Sequence, residues 1–138
     1  MDKALNFLAL ARKAGVAELG EEPVGGAARA GKAYAILVAS DAGDHTWRRA
    51  KAFAAGTEQQ AVKLPYTKDD MGAAIGRQTL AIAAITDCAM ALALVQALPE
   101  PEKQAEVIAV LTAKVQKQKQ RKKEAAAHQK NVRTGKKK

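Results

Sequence analysis

The sequence predicts an α/β protein: a single three-layer α/β/α sandwich on a four-stranded mixed sheet, followed by a basic C-terminal tail. Three observations lead there. Short apolar runs recur between segments of helical spacing, so helices and strands alternate along residues 1–98. Glycines at Gly15, Gly31, Gly56 and Gly76 follow the helical segments, where helix stops belong. The 138 residues are 48% hydrophobic but only 4% aromatic, which suits one Ala-packed domain that needs no disulfide or metal staple.

The first helix reads from Asp2 to Ala14, with Leu5, Leu8 and Ala11, or alternatively Phe7, Leu10 and Ala14, spaced for burial and Arg12 and Lys13 in the last turn. Val16 to Leu19 is a short strand. Gly20, Glu21, Glu22 and Pro23 open a second helix that reaches Ala30, because proline needs no amide in a first turn and carboxylates complement the helix dipole. Gly25 and Gly26 inside it each cost about 1 kcal/mol relative to alanine, so close packing or a ligand is expected there.

Tyr34 to Ala39 is a continuous apolar run, a buried central strand. Asp41 and Asp44 start a helix through Ala55 with Trp47, Ala50 and Phe53 or Ala54 on one face. Ala61 to Leu64 forms a weak strand before Pro65, and Thr67 to Asp70 reads as a capping box for a helix carrying Met71, Ala74 and Ile75. Leu80 to Ile85 is the last strand and Asp87 to Leu98 the last helix of the domain. Pro99, Glu100 and Pro101 then divide a domain of residues 1–98 from a Lys-rich tail of residues 99–138, partly helical or disordered. Within that tail Val107, Ile108, Val110 and Leu111 suit a pair of helical turns, and Lys114 to His128 suits a helix formed on binding.

Charge is concentrated. Residues 1–98 carry 11 Lys or Arg against 10 Asp or Glu, whereas residues 99–138 carry 12 against 4. A basic tail on a near-neutral domain points to a polyanion, with nucleic acid ahead of an anionic membrane; the bland reading is a solubilising appendage. Cys88 is the only cysteine, which excludes an intrachain disulfide and a Cys-based metal cluster and fits a cytoplasmic protein. The start Met1, Asp2, Lys3, Ala4 lacks signal-peptide patterning. Leu80 to Leu98 is apolar but splits at Thr86 and Asp87 into a strand and a helix, so no membrane span is expected.

Catalytic chemistry finds no support. Ser40 is the only serine and His45 and His128 the only histidines, so no nucleophile–base set assembles. Asp41, Asp44 and His45 read as a carboxylate-rich helix start and not as a metal site. The glycines Gly20, Gly25, Gly26 and Gly31 match neither a P-loop nor a dinucleotide fingerprint, so no cofactor is expected. Trp47 and Cys88 read as core residues, and Tyr34 and Tyr66 flank strands, where stacking on a base is open to them.

Several segments then act together. Gly20, Glu21, Glu22 and Val24, followed by Gly31, Lys32, Ala33 and an apolar strand ending Ala39, Ser40, Asp41, Ala42, are joined by Thr67 to Arg77 and by Ala84, Ile85, Thr86, Asp87. This combination, spanning about residues 3–97, resembles the ribosomal L-seven-Ae family of kink-turn RNA-binding proteins, most closely its bacterial YlxQ-like branch. The resemblance implies a non-catalytic protein bound to structured, ribosomal or kink-turn-like RNA.

It also implies a site. In the family a segment at the start of the second helix contacts the sheared base pairs of the kink, and an apolar loop shields an extruded base. Those segments correspond here to Gly20, Glu21, Glu22, Pro23, Val24, Gly25 and Gly26, and to Arg77, Gln78, Thr79, Leu80 and Ala81. Glu22, Pro23 and Gly26 stand where the family carries Asn, Glu and Lys. Lys32, Arg77 and the tail residues Lys117, Lys119, Arg121, Lys122 and Lys123 are expected to supply the missing phosphate contacts. The alternative is a protein-interaction module that docks on a ribosomal or transcription-complex protein, its tail only solubilising; the loss of Asn, Glu and Lys favours it.

Overall fold

Alternation along two short strands divides the core. The computed structural model describes residues 2–133, with side chains to residue 126. Its central strands are β2 (Ala35–Val38) and β4 (Ile82–Ile85), every residue of which is buried. Ala35, Leu37, Ala83 and Ile85 face one side; Ile36, Val38, Ile82 and Ala84 face the other. Both faces must therefore be covered by helices. On the first side lie α1 (Lys3–Lys13) through Leu5 and Leu8, α4 (Lys68–Ala74) through Met71, and α5 (Cys88–Gln96) through Ala91, Leu94 and Val95. On the second lie α2 (Glu21–Arg29) through Val24 and Ala28 and α3 (Asp44–Ala54) through Ala50. The three-layer sandwich expected from the sequence is observed.

The sheet is completed by β1 (Ala17–Leu19) and β3 (Gln60–Lys63) in the order β1-β4-β2-β3. β4 runs antiparallel to both neighbours, with Ala17 opposite Ile85 and Val38 opposite Ile82, while β2 and β3 are parallel with Leu37 opposite Val62. Pairing of β3 begins one residue earlier than expected because the Gln60 amide donates to the Tyr34 carbonyl. The glycines expected to stop helices, Gly15, Gly31, Gly56 and Gly76, all adopt φ between 72° and 75°, a conformation strained for any residue with a Cβ.

The segment beyond residue 98 differs from the expected tail. Glu100, at φ 54°, reverses the chain, a 3-10 turn follows at Pro101–Gln104, and α6 (Ala105–Arg133) packs back on α5. Leu111 is 0% exposed and belongs to the core, with Val107 and Ile108 packed against it. The boundary expected at residue 98 is thus a change of direction; the first turns of α6 complete the domain. α6 begins near Ser40 and Leu64, where Gln104 shares a recess with them, and runs down to Glu58, which Lys114 engages in an ion pair. Among the described residues no helix is long and apolar enough to cross a membrane.

Candidate nucleic-acid interface

β1, β2 and β3 end, and β4 begins, at one end of the sheet, and the starts of α2, α3 and α4 collect there. Backbone bonds tie these segments together. The Gly20 amide donates to the Ile82 carbonyl at 3.0 Å, the Ala39 amide to the Ala81 carbonyl at 2.9 Å, and the Ser40 amide to the Tyr66 carbonyl at 2.8 Å. Asp41 Oδ1 accepts the Lys68 amide at 2.8 Å, so this carboxylate serves the start of α4 and not that of α3, the helix it was expected to open, which begins after Gly43.

The loop after α4 is held flat on that helix. Thr67 and Asp70 form a reciprocal capping box, the Arg77 amide donates to the Gly72 carbonyl at 2.8 Å, and the Leu80 amide to the Lys68 carbonyl at 3.0 Å. A Cβ on Gly72 would stand 2.7 Å from the Gln78 carbonyl group and from Thr79 Cα. Only glycine permits this approach, and the loop's position depends on it.

The predicted site residues fall into two groups. Gly20 is the α2 N-cap at φ 97°, Glu22 is exposed, and Arg77, Gln78 and Thr79 are exposed on the neighbouring loop. These share one end of the molecule. Gly26 faces open space, whereas Gly25 permits the close packing expected of it, since a Cβ there would meet Phe53 and Arg29 at 3.2 Å. Glu21 is drawn sideways to α3: its Oε1, shielded from water, lies 2.7 Å from Arg49 Nε and 3.8 Å from His45 Nε2 without hydrogen-bond alignment. Arg49 also stacks over Phe53, 5.4 Å from its centroid. Arg49 was not among the residues singled out from the sequence, because its pairing crosses between helices.

Two expectations are corrected. Leu80 is 4% exposed and packs in the core, so it anchors the loop, and the exposed loop side chains are the polar Arg77, Gln78 and Thr79. Lys32 lies past the other end of α2, and Lys117, Lys119, Arg121, Lys122 and Lys123 lie on α6 beyond Lys114, which reaches the start of β3. They do not join the Gly20 end. Of the remaining residues, Trp47 is half-buried against the second core with the Lys51 and Lys63 ammoniums 5.5 and 5.8 Å from its ring. Cys88 is buried, its Sγ donates to Gln118 Oε1 at 3.3 Å, and burial, aided by Asp87, pushes the thiol pKa up.

The helix starts at the Gly20 end carry carboxylates, and basic side chains stand close to them. Glu21, Glu22, Asp41, Asp44, Asp69 and Asp70 stand around the helix starts, with Arg48, Arg49, Lys63, Lys68 and Arg77 beside them. Helix amides and a polar loop can meet base edges there.

These features define a class: an α/β/α sandwich with sheet order β1-β4-β2-β3 that gathers three helix starts and a clamped polar loop at one end. Neither a family model nor a curated protein matches the chain. Among solved structures it is similar to a protein with unknown function from Bacillus halodurans C, with TM-score 0.66, 25% identity, and coverage of 70% of this chain and 97% of that one. It is also similar to a Giardia lamblia 15.5kD RNA binding protein, with TM-score 0.57, 17% identity, and coverage of 79% of this chain and 84% of that one. The second likeness is one of fold.

Proposed function

We propose that the chain is a non-catalytic, cytoplasmic RNA-binding protein whose α2 start and 77–79 loop hold a sharply kinked, structured RNA of ribosomal or kink-turn-like type. The observation that carries this reading is the Gly20–Ile82 backbone bond, which sets side by side the two segments that the family resemblance assigns to RNA. The fold shared with a Giardia RNA binding protein adds support. Chemically, Glu22 accepts from a base amino group, while Arg77, Gln78 and Thr79 bring donors. With acidic and basic side chains close to balance at this end, recognition rests on base edges and shape more than on phosphate charge.

The test is fluorescence anisotropy of the full chain with a kinked RNA stem and with a straight duplex, at about 150 mM salt, where non-specific binding is weak. Preference for the kinked stem that Glu22→Ala and Arg77→Ala reduce supports the reading; equal binding of both RNAs refutes it. The acidic helix starts favour a second reading, a basic protein of the translation or transcription machinery docked at the same end. Failure to bind either RNA, with protein purified at low salt free of nucleic-acid absorbance, would establish that reading's priority.

A further inference from the structure

Two of the cations assigned to a tail, Lys117 and Arg121, line a recess at the opposite end of the sheet. Gly31 and Tyr34 lie there between the end of α2 and the start of β2, Thr57 and Glu58 before β3, and Cys88 at the start of α5. α6 crosses this end with Lys114, Lys117, Gln118 and Arg121 at the three-, four- and seven-residue spacing of one helical face. Two adjoining hollows result. One of about 310 Å³ is lined by Arg29, Tyr34, Gln59 and Lys114, and a smaller one of about 100 Å³ by Tyr34, Cys88, Lys117, Gln118 and Arg121. Tyr34, half-buried, borders both.

Charge there is unbalanced. Lys114 neutralises Glu58, and among the described residues no salt bridge engages Arg29, Lys117 or Arg121. From Lys114 to Arg121 this face runs about 10 Å at 1.5 Å per residue, with Lys122 at its edge, while Lys119 and Lys123 stand on the other side of the helix. That length makes the surface a track, longer than a single small anion needs. An aromatic ring beside a line of cations suits single-stranded nucleic acid, whose bases stack while its phosphates follow the charge. An acidic peptide would use the cations and leave Tyr34 idle.

We propose that this end is a second RNA-contacting surface, in which Tyr34 receives an unstacked base and Lys117, Arg121 and Arg29 receive phosphates of a single-stranded segment. The proposal deepens the RNA-binding reading but stands on different residues. α2 alone separates the two ends by about 14 Å, so one chain would hold two RNA segments at once.

The experiment uses the full chain and a fluorescent oligouridine of about 12 nucleotides, within the usual span of single-strand sites. The double variant Lys117→Glu/Arg121→Glu, both at exposed positions, is expected to bind at least tenfold more weakly. Two lost phosphate contacts should also flatten the salt slope by about 1.4. Ultraviolet crosslinking and peptide mapping should place uridine on Tyr34, and Arg77→Ala should leave oligouridine binding unchanged. Wild-type-like binding by the double variant, no binding by the wild type, crosslinks confined to the Gly20 end, or equal competition by polyglutamate would each overturn the proposal. Oligouridine binding with these properties, alongside a failure to prefer the kinked stem, would sustain it and refute the reading of the Gly20 end.

Discussion

Replacing Leu111 by alanine removes an isopropyl group from a position that is 0% exposed. The transfer contribution of a buried leucine is about 1.5–3 kcal/mol, and the cavity left behind brings Leu→Ala changes to about 2–5 kcal/mol. Leu111 packs with the partly buried Val107 and Ile108 on one helix that rests on α5, so α6 can shift to fill part of the gap. We therefore expect a loss of about 3 kcal/mol, in the lower half of that range. In urea unfolding this appears as a lower midpoint at unchanged slope, and in thermal unfolding as a fall of roughly 10 °C. If α6 were a solubilising appendage, the same change would stay within about 0.5 kcal/mol, as surface substitutions do. A loss that small would refute the integration of α6 into the core, and with it the fixed position of Lys117 and Arg121.

Other outcomes follow from particular contacts. Gly72→Ala drives a Cβ into the Gln78 and Thr79 backbone; a loss of about 1–3 kcal/mol in urea unfolding is expected, together with weaker binding of the kinked stem. Gln59→Leu leaves the buried Ala33 amide without the acceptor that Gln59 provides at 2.9 Å and takes one donor from the Ala28 carbonyl, which the Gly31 amide still serves; it should cost about 2 kcal/mol by the same assay. Burial and the hydrogen bond to Asp2 hold the Tyr66 hydroxyl above its ordinary pKa. The folded state then keeps a proton that the unfolded state loses above about pH 10, so this contribution is full below that pH and falls as pH rises. Tyr66→Phe should remove that part of the alkaline loss when unfolding is compared at pH 9 and 11. Gly26→Lys has room; it should stabilise α2 by up to about 1 kcal/mol and tighten binding of the kinked stem, measured by anisotropy.

Much of the fold is legible because its punctuation is chemical. Glycines at four helix ends adopt the left-handed conformation that marked them as stops, and the all-apolar run around Ile36 and Leu37 requires cover on both faces. Strand ends shifted by one or two residues, since they depend on which partner carbonyl is available, as Gln60 and Tyr34 show. The burial of Leu111 was not legible: the apolar face of α6 fades into Lys and Gln after a few turns, and its receiving surface is supplied by α5. At the candidate site the segments were identifiable, but the capture of Glu21 by Arg49 and the inward turn of Leu80 are tertiary events. The split of the cations between two ends likewise follows from the path of α6, which no local pattern encodes.

The antiparallel position of β4 has a consequence for synthesis. β1 meets the sheet only through β4, and β2 has β4 as its second partner. A nascent chain therefore carries β1 unpaired, and β2 with one open apolar edge, until Ile85 has emerged. For those seconds the strand Ala35–Val38 is exposed to pairing with other chains. A circular permutant that places β4 ahead of β1 would close the sheet as its last strand, β3, arrives, and should yield more soluble protein at high expression.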